Sequence, residues 1–350
     1  MKKYVQRLPG IGITILFLFT TLLSTAQNLD NPGTYMSAIS NAQTEMNQKY
    51  MAYMSAVAHG RRARKIEKMR QQTLESITNA RYKTVDVPIY KGDNTLRQSS
   101  IDYIQLCYKV FNDDYSHIVN MEEIAEQSYD QMQEYILLQE KTSEKIKEAS
   151  NKMDSAVKQF ALKYNVNLIE KKDELGEKMS IAGKLNHYTN ELYLIFFKCN
   201  WQDGKVTDAM NKKKITDIEQ ARNALSRYAD EGLLALDTLK SFQGDPSLAA
   251  ACRQALQFYK KAAETDIPKL TDYYLKEENF EKLKKEMDSK SNKTQADIDA
   301  YNKAVKEINA SMNSFNQTNT TINNNRNQVV QNWENTEKAF SDTHMPYYRK

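Results

Sequence analysis

Between Gly92 and Gly176 the chain has neither glycine nor proline, and the same holds between Pro268 and Pro346. Both stretches place apolar residues at alternating three- and four-residue steps, which puts them on one stripe of a helix. In the first, Met121, Ala125, Ser128, Met132, Tyr135, Gln139, Thr142, Ile146, Ala149, Met153, Ala156 and Phe160 hold one register. In the second, Ile298, Tyr301, Val305, Ile308, Met312, Phe315, Asn319, Ile322, Arg326, Val329, Trp333, Thr336 and Phe340 do the same. Stripes of this length need partners of matching length. The spacing therefore predicts an all-α fold, an elongated antiparallel bundle of long helices with heptad-type packing and crossings of about 20°.

The breaks are few. Asn31-Pro32-Gly33 precedes a helix capped by Thr34 and running to about Tyr82, with Ile39, Met46, Tyr50, Tyr53 and Val57 inward. The stripe slips at His59-Gly60, which reads as a mild bend. Val85 to Asp93 is the first loop, and Ser99 or Ser100 caps the next helix. After a turn at Asn165–Ile169, a helix from Leu175 to about Gly204 carries Met179, Ala182, Leu185, Leu192, Phe196 and Cys199 inward. Ile215 to Phe242 forms another, closed by Gln243-Gly244-Asp245-Pro246, and Ser247 opens a helix that kinks at Pro268. The organisation reads as a signal peptide over 1–26, a first helical half over 27–164 and a second over 165–350, in one continuous bundle. The halves share a plan of long, shorter and long helix, with no residue-level similarity to mark a duplication.

Lys2, Lys3 and Arg7 precede the apolar run Ile11–Leu23, and Ser24-Thr25-Ala26 supplies small residues before Gln27. That order is a signal peptide with cleavage near Ala26/Gln27, and the apolar run is too short to span a bilayer, which takes about 20 residues. No cysteine precedes Cys107, so a lipoprotein anchor is not expected. The localisation expected is the periplasm or the cell surface. No later apolar segment is long enough to cross a membrane. Without Lys2, Lys3 and Arg7, the 49 basic residues fall to 46 against 45 acidic ones. That balance does not suit nucleic acid as a partner. Cys107, Cys199 and Cys252 fall at helical spacing with apolar neighbours, as buried thiols or as one disulfide plus a free thiol.

Chemistry-bearing patterns are scarce. No Gly-x-Ser-x-Gly, phosphate-binding loop, His-Glu-x-x-His, Cys-x-x-Cys or calcium loop occurs. His187 and Glu191 sit one helical turn apart, and His117 follows Asp114 by three, so these are the candidate metal-binding residues. Arg61, Arg62, Arg64, Lys65 and Lys68 form a candidate anionic-surface patch, with a solvated helix face as the alternative. The eight asparagines between Asn313 and Asn332 read as a polar outer face, with Asn319 and Arg326 as polar core layers. No cofactor and no enzyme activity is expected.

The signal peptide, Ala58-His59 followed by Arg64-Lys65-Ile66, and the ending Trp333, Phe340, His344-Met345-Pro346 resemble exported helical surface-protein families of Bacteroidetes and spirochaetes. The resemblance implies an envelope location and transfers no functional residue. The expected role is that of an exported, non-enzymatic helical bundle acting as an envelope or surface interaction module, its partner an unidentified protein or envelope component. Two alternatives are a periplasmic bundle that binds a small ligand or metal and an α-helical pore former.

Overall fold

The computed structural model describes residues 29–60, 63–114, 127–169 and 173–348. The signal-peptide segment with Gln27, as well as Arg61, Arg62, His117, Met121 and Ala125, lies outside them. The fold is all-α, with no strand among the described residues. In chain order the helices are α1 (Pro32–Ala58), α2 (Ala63–Asp86), α3 (Thr95–Lys109), α4 (Tyr129–Lys163), α5 (Glu174–Asn211), α6 (Ile215–Thr238), α7 (Ser247–Lys261), α8 (Ile267–Ser289) and α9 (Gln295–His344). Wider π-helical turns follow α3 at Val110–Asp114 and α7 at Ala262–Asp266.

Contacts divide the chain into two compact units. The first takes residues up to Glu191 together with those from Lys338 on. Here α1 and α2 pack against each other as a hairpin, with Lys83 reaching back to Glu45 at 3.2 Å. This corrects the single helix expected from Thr34 to Tyr82. Gly60 takes φ +63° beyond the end of α1, a left-handed conformation that halts a helix, and the slip in the stripe marks this reversal. The cap of α1 is Asn31, whose side chain accepts from the Thr34 amide at 3.0 Å, because Pro32 already occupies the first turn. Inside the unit, Ile39, Met46, Tyr53, Ile77, Ile104, Ile146 and Phe160 are buried, so the stripes of α1 and α4 do face inward. The C-terminal segment returns to the end of α1, where Tyr347 packs on His59 and the Tyr348 amide donates to Ser55 Oγ at 3.2 Å.

The second unit runs from Leu192 to Glu337. Its core holds Leu192, Phe196, Ile218, Leu225, Leu248, Leu256 and Trp333, with Phe196 and Trp333 stacked at 4.6 Å. Between α8 and α9 the turn is closed by a capping box, in which Thr294 Oγ1 accepts from the Asp297 amide and Asp297 accepts from the Thr294 amide. Phe315 of α9 packs on Tyr273 and Tyr274 of α8. Cys107, Cys199 and Cys252 are free and buried, and burial pushes the first two thiols up to about 12 and the third up as well.

The bounds of three consecutive elements repeat at one constant offset. Ala63–Asp86 recurs as Ile215–Thr238, Thr95–Lys109 as Ser247–Lys261, and the π turn Val110–Asp114 as Ala262–Asp266. Local structure repeats with them. At Tyr90–Asp93 and again at Phe242–Asp245, the second residue and the glycine take positive φ and the aspartate amide bonds back to the aromatic's carbonyl. Each aspartate then accepts the amide two residues on, from Thr95 at 2.9 Å and from Ser247 at 2.8 Å, which starts the next helix. In each second helix a glutamate and the arginine three residues later pair at Glu67–Arg70 and Glu219–Arg222. Arg222 also reaches the carbonyl of Ala263, in the π turn next to Pro268. Stacked rings recur as Tyr35 on Phe160 and Tyr188 on Phe340, and Phe160–Tyr164 has its counterpart in Phe340–His344. Phe160 and Phe340 stand further apart than the constant offset by four heptads, so the second repeat is the longer one. An insertion of whole heptads leaves the stripe in phase. Among the described residues the chain therefore carries one helical plan twice, with α1 matching α5 at an offset one residue longer because the turn after α5 is one residue shorter than the turn after α1.

The repeats trade volume between facing positions. Gly232 replaces Ala80, and a Cβ at Gly232 would stand 2.9 Å from Leu256 and 3.0 Å from Ile195, where the first repeat has Ala42. Gly232→Ala should cost about 1–3 kcal/mol through overpacking, despite the better helix propensity of alanine. In an Ile195→Ala background the same change should cost less, since only the contact with the Leu256 side chain remains, as urea titrations of the four-member cycle would show.

Candidate functional site

The sequence-predicted candidates sit apart. Arg64, Lys65 and Lys68 are on the first turns of α2, where Glu67 is tied to Arg70 at 2.8 Å. His187 pairs with Glu140 of α4, its Nδ1 at 3.0 Å from the carboxylate, and the Asn190 amide donates to the same carboxylate at 3.2 Å. Glu191 is exposed and is not a partner of His187. No group of three or more potential metal ligands occurs among the described residues.

Three polar clusters remain. In the first unit, Asp93 accepts from Lys163 at 2.7 Å and Tyr164 at 3.2 Å, and these donors with the Thr95 amide hold its carboxyl well below the usual carboxylate range. Tyr90 caps the cluster, its ring against Tyr35, Phe160 and Tyr164 and its hydroxyl donating to the Asp30 carbonyl. This arrangement fastens a turn to two helices. On α4, burial raises the Asp154 carboxyl to about 6, opposed by Lys158. In the second unit, Asp203 is 3% exposed and accepts from Arg326 Nε at 2.5 Å and Nη2 at 3.0 Å. Arg326 also donates to Asn323, and Tyr259 donates to Asn200 nearby in the chain at 2.9 Å. The first repeat has Tyr50 and Ile146 in place of Asp203 and Arg326, so this ionic layer belongs to the second repeat alone.

The fourth feature is a groove of about 450 Å3 in the second unit, lined by Gln254 of α7 and Gln328, Val329, Gln331, Asn332 and Asn335 of α9. Five of its six lining residues are amides. Asn332 Nδ2 donates to Gln254 Oε1 at 3.1 Å, which fixes one edge. Gln328, Gln331 and Asn335 make no side-chain hydrogen bond among the described residues, so their donors and acceptors face solvent. Around the groove, residues 309–333 carry twelve amides and a single charge, that of Arg326, which is directed at Asp203. The matching span of α4, residues 129–153, carries nine charged residues. Sequence reading singled out the asparagine run and missed Gln254. Its place opposite Asp102 in the other repeat is a signal that only the repeat alignment exposes.

No family description, no curated protein and no solved structure matches the chain.

Two outcomes follow from the buried acids. Asp203→Ala should destabilise by about 3–5 kcal/mol, because it strands a partly buried guanidinium. The double change Asp203→Tyr with Arg326→Ile, which copies the first repeat, should cost less than that single one in chemical denaturation. For Asp154 the folded pKa is raised, so its contribution is favourable below the unfolded value of 3.8 and is lost as pH rises through about 6. Asp154→Asn should therefore stabilise by roughly 1 kcal/mol at about pH 7.5, a figure reduced for partial solvent screening. The gain should vanish below about pH 4 in thermal melts across that range.

Proposed function

We propose that this is an exported, non-enzymatic helical protein that acts as an interaction module at the cell envelope, with the uncharged face of α9 as its contact surface. The observation that carries the reading is the contrast between repeats. One fold supports nine charges along α4 and one along the matching span of α9. The lysines and glutamates of α4 are better helix formers than asparagine, which costs about 0.3 kcal/mol more per position, or roughly 3 kcal/mol over nine asparagines. Folding does not call for that composition. Selection for what the face touches does.

Export rests on the basic, apolar and small-residue order of the first 26 residues. Among the described residues no helix is long and apolar enough to cross a membrane, which favours attachment through a surface over insertion. The interaction reading is supported by the scarcity of activated side chains: the three thiols are buried with raised pKa, and Asp93 and Asp203 are committed to lysine and arginine.

The test is retention of the purified mature chain on the envelope fraction of its own cells. The comparison is with Gln254→Asp/Gln328→Glu/Asn332→Lys, which installs the first repeat's Asp102, Glu148 and Lys152. The parent should sediment with the envelope and the variant should not, with both chains folded. Equal sedimentation of the two, or none by the parent, contradicts the reading.

A further inference from the structure

We infer that the groove between α7 and α9 is a binding site for a neutral, hydroxyl-rich polymer, a glycan chain, lying along α9. The inference rests on the proposed contact role of this face and adds the chemistry of the ligand.

Gln254, Gln328, Gln331, Asn332 and Asn335 each supply a carbonyl acceptor and an NH2 donor from one side chain. Sugar hydroxyls are likewise donor and acceptor at once, so a row of amides can bond them in either sense. Among the described residues only the Asn332–Gln254 bond spends part of this capacity. It aligns two amides across the groove and leaves the Gln254 NH2 and the Asn332 carbonyl for a ligand. A volume of about 450 Å3 falls within the range of small-ligand sites, about 300–1,000 Å3. The exposed amides continue on the same helical face toward the N-terminus of α9 as Asn324, Gln317 and Asn313, which suits a polymer better than a single small molecule.

Other ligand classes fit poorly. A nucleic acid, acidic polysaccharide or lipid phosphate needs cationic partners, and the one cation along this span is paired with Asp203. A protein interface wants a buried aromatic, methionine or arginine anchor at its centre. Here Trp333 is 1% exposed, turned into the core, and the groove's one apolar lining residue is Val329. A hydrophobic ligand would find amides on nearly every side. What remains is an uncharged ligand that bonds through many hydroxyl or acetamido groups.

The first repeat serves as an internal control. Gln254, Gln328 and Asn332 correspond to Asp102, Glu148 and Lys152, ordinary charged positions on the same helices. Three separate positions, on two helices, differ in charge together. They converge on one groove.

The test is affinity electrophoresis of the full mature chain through native gels containing laminarin, mannan, dextran or xylan, with polyanionic alginate as the charged comparison. The parent should be retarded by at least one neutral glycan and no more by alginate than by an empty gel. Gln254→Asp/Gln328→Glu/Asn332→Lys should bind that glycan at least about tenfold more weakly, since it removes several hydrogen bonds at once, while its melting temperature stays near the parent's. Gln331→Arg, on the exposed rim, gives a second readout should the triple variant fold poorly, and it too should weaken binding. Absence of retardation in all four neutral glycans overturns the inference, as does retardation that survives both variants or is strongest in alginate. If the triple variant loses envelope retention while no neutral glycan retards the parent, the glycan inference fails and the contact role of the face stands. If envelope retention is unchanged by the variant, the contact role fails as well.

Discussion

An apolar stripe recurring along a helix must be covered over its whole length, and in this chain that demand organises the rest. Each helix satisfies its own backbone hydrogen bonds internally, so packing of stripe against stripe is the main source of cohesion. Ile39, Ile146 and Phe160 in one unit, and Leu192, Leu256 and Trp333 in the other, are the residues through which that burial acts. Fully burying such side chains contributes about 1.5–3 kcal/mol each. Surface ion pairs such as Lys83–Glu45, half-exposed on both sides, add at most about 1 kcal/mol apiece. Direction reversals then fix which stripes meet. Gly60, Gly92 and Gly244, together with Lys91, Asn165, Lys213 and Gln243, take the left-handed conformation such reversals need, and Asp93 and Asp245 start the next helix immediately after Gly92 and Gly244.

Much of this was legible in the sequence. The all-α class, the register of α4 and the inward residues of α1 follow from periodicity, and the break at Gln243-Gly244-Asp245-Pro246 from its glycine and proline; on α9 the stripe is buried at Ile308, Ile322, Trp333 and Phe340 but exposed at Ile298 and Met312. The hairpin at His59-Gly60 did not, because the stripe resumes beyond it and a register slip looks the same whether the helix bends or turns back. The repeated plan was also hidden. Its fixed points are Ile66-Glu67 with Arg70 against Ile218-Glu219 with Arg222, and Gly92-Asp93 against Gly244-Asp245, while the packed positions between them have exchanged freely. Core positions specify volume and polarity more than identity, so Tyr50 and Ile146 can give way to Asp203 and Arg326 at matching sites. The amide face was visible as composition. Its meaning as a groove depended on Gln254, which lies on a different helix from the asparagine it bonds.

The two repeats show how one scaffold divides its labour. The first keeps charged outer faces and an uncharged interior, with Ile146 buried between Thr142 and Ser150. The second places an ion pair inside and strips charge from the outside of α9, the reverse arrangement on the same helices. Such a buried pair is a modest source of stability, and polar pairs of this kind can fix one register between packed helices. The contact role proposed for the amide face of α9 would gain from that rigidity, since side chains on a fixed helix lose less entropy on binding.

The repeated architecture is tested most directly by hydrogen exchange of the full chain, read by mass spectrometry at peptide resolution. Slow exchange is expected within α2 and α6, preceded by fast exchange around His59–Gly60 and Lys212–Lys214, with a second pair of fast segments at Lys91–Gly92 and Gln243–Gly244. The paired fast segments should recur at close to the offset that separates Ala63 from Ile215. Uninterrupted protection from Val57 through Ile66, as a single continuous helix would give, would contradict it.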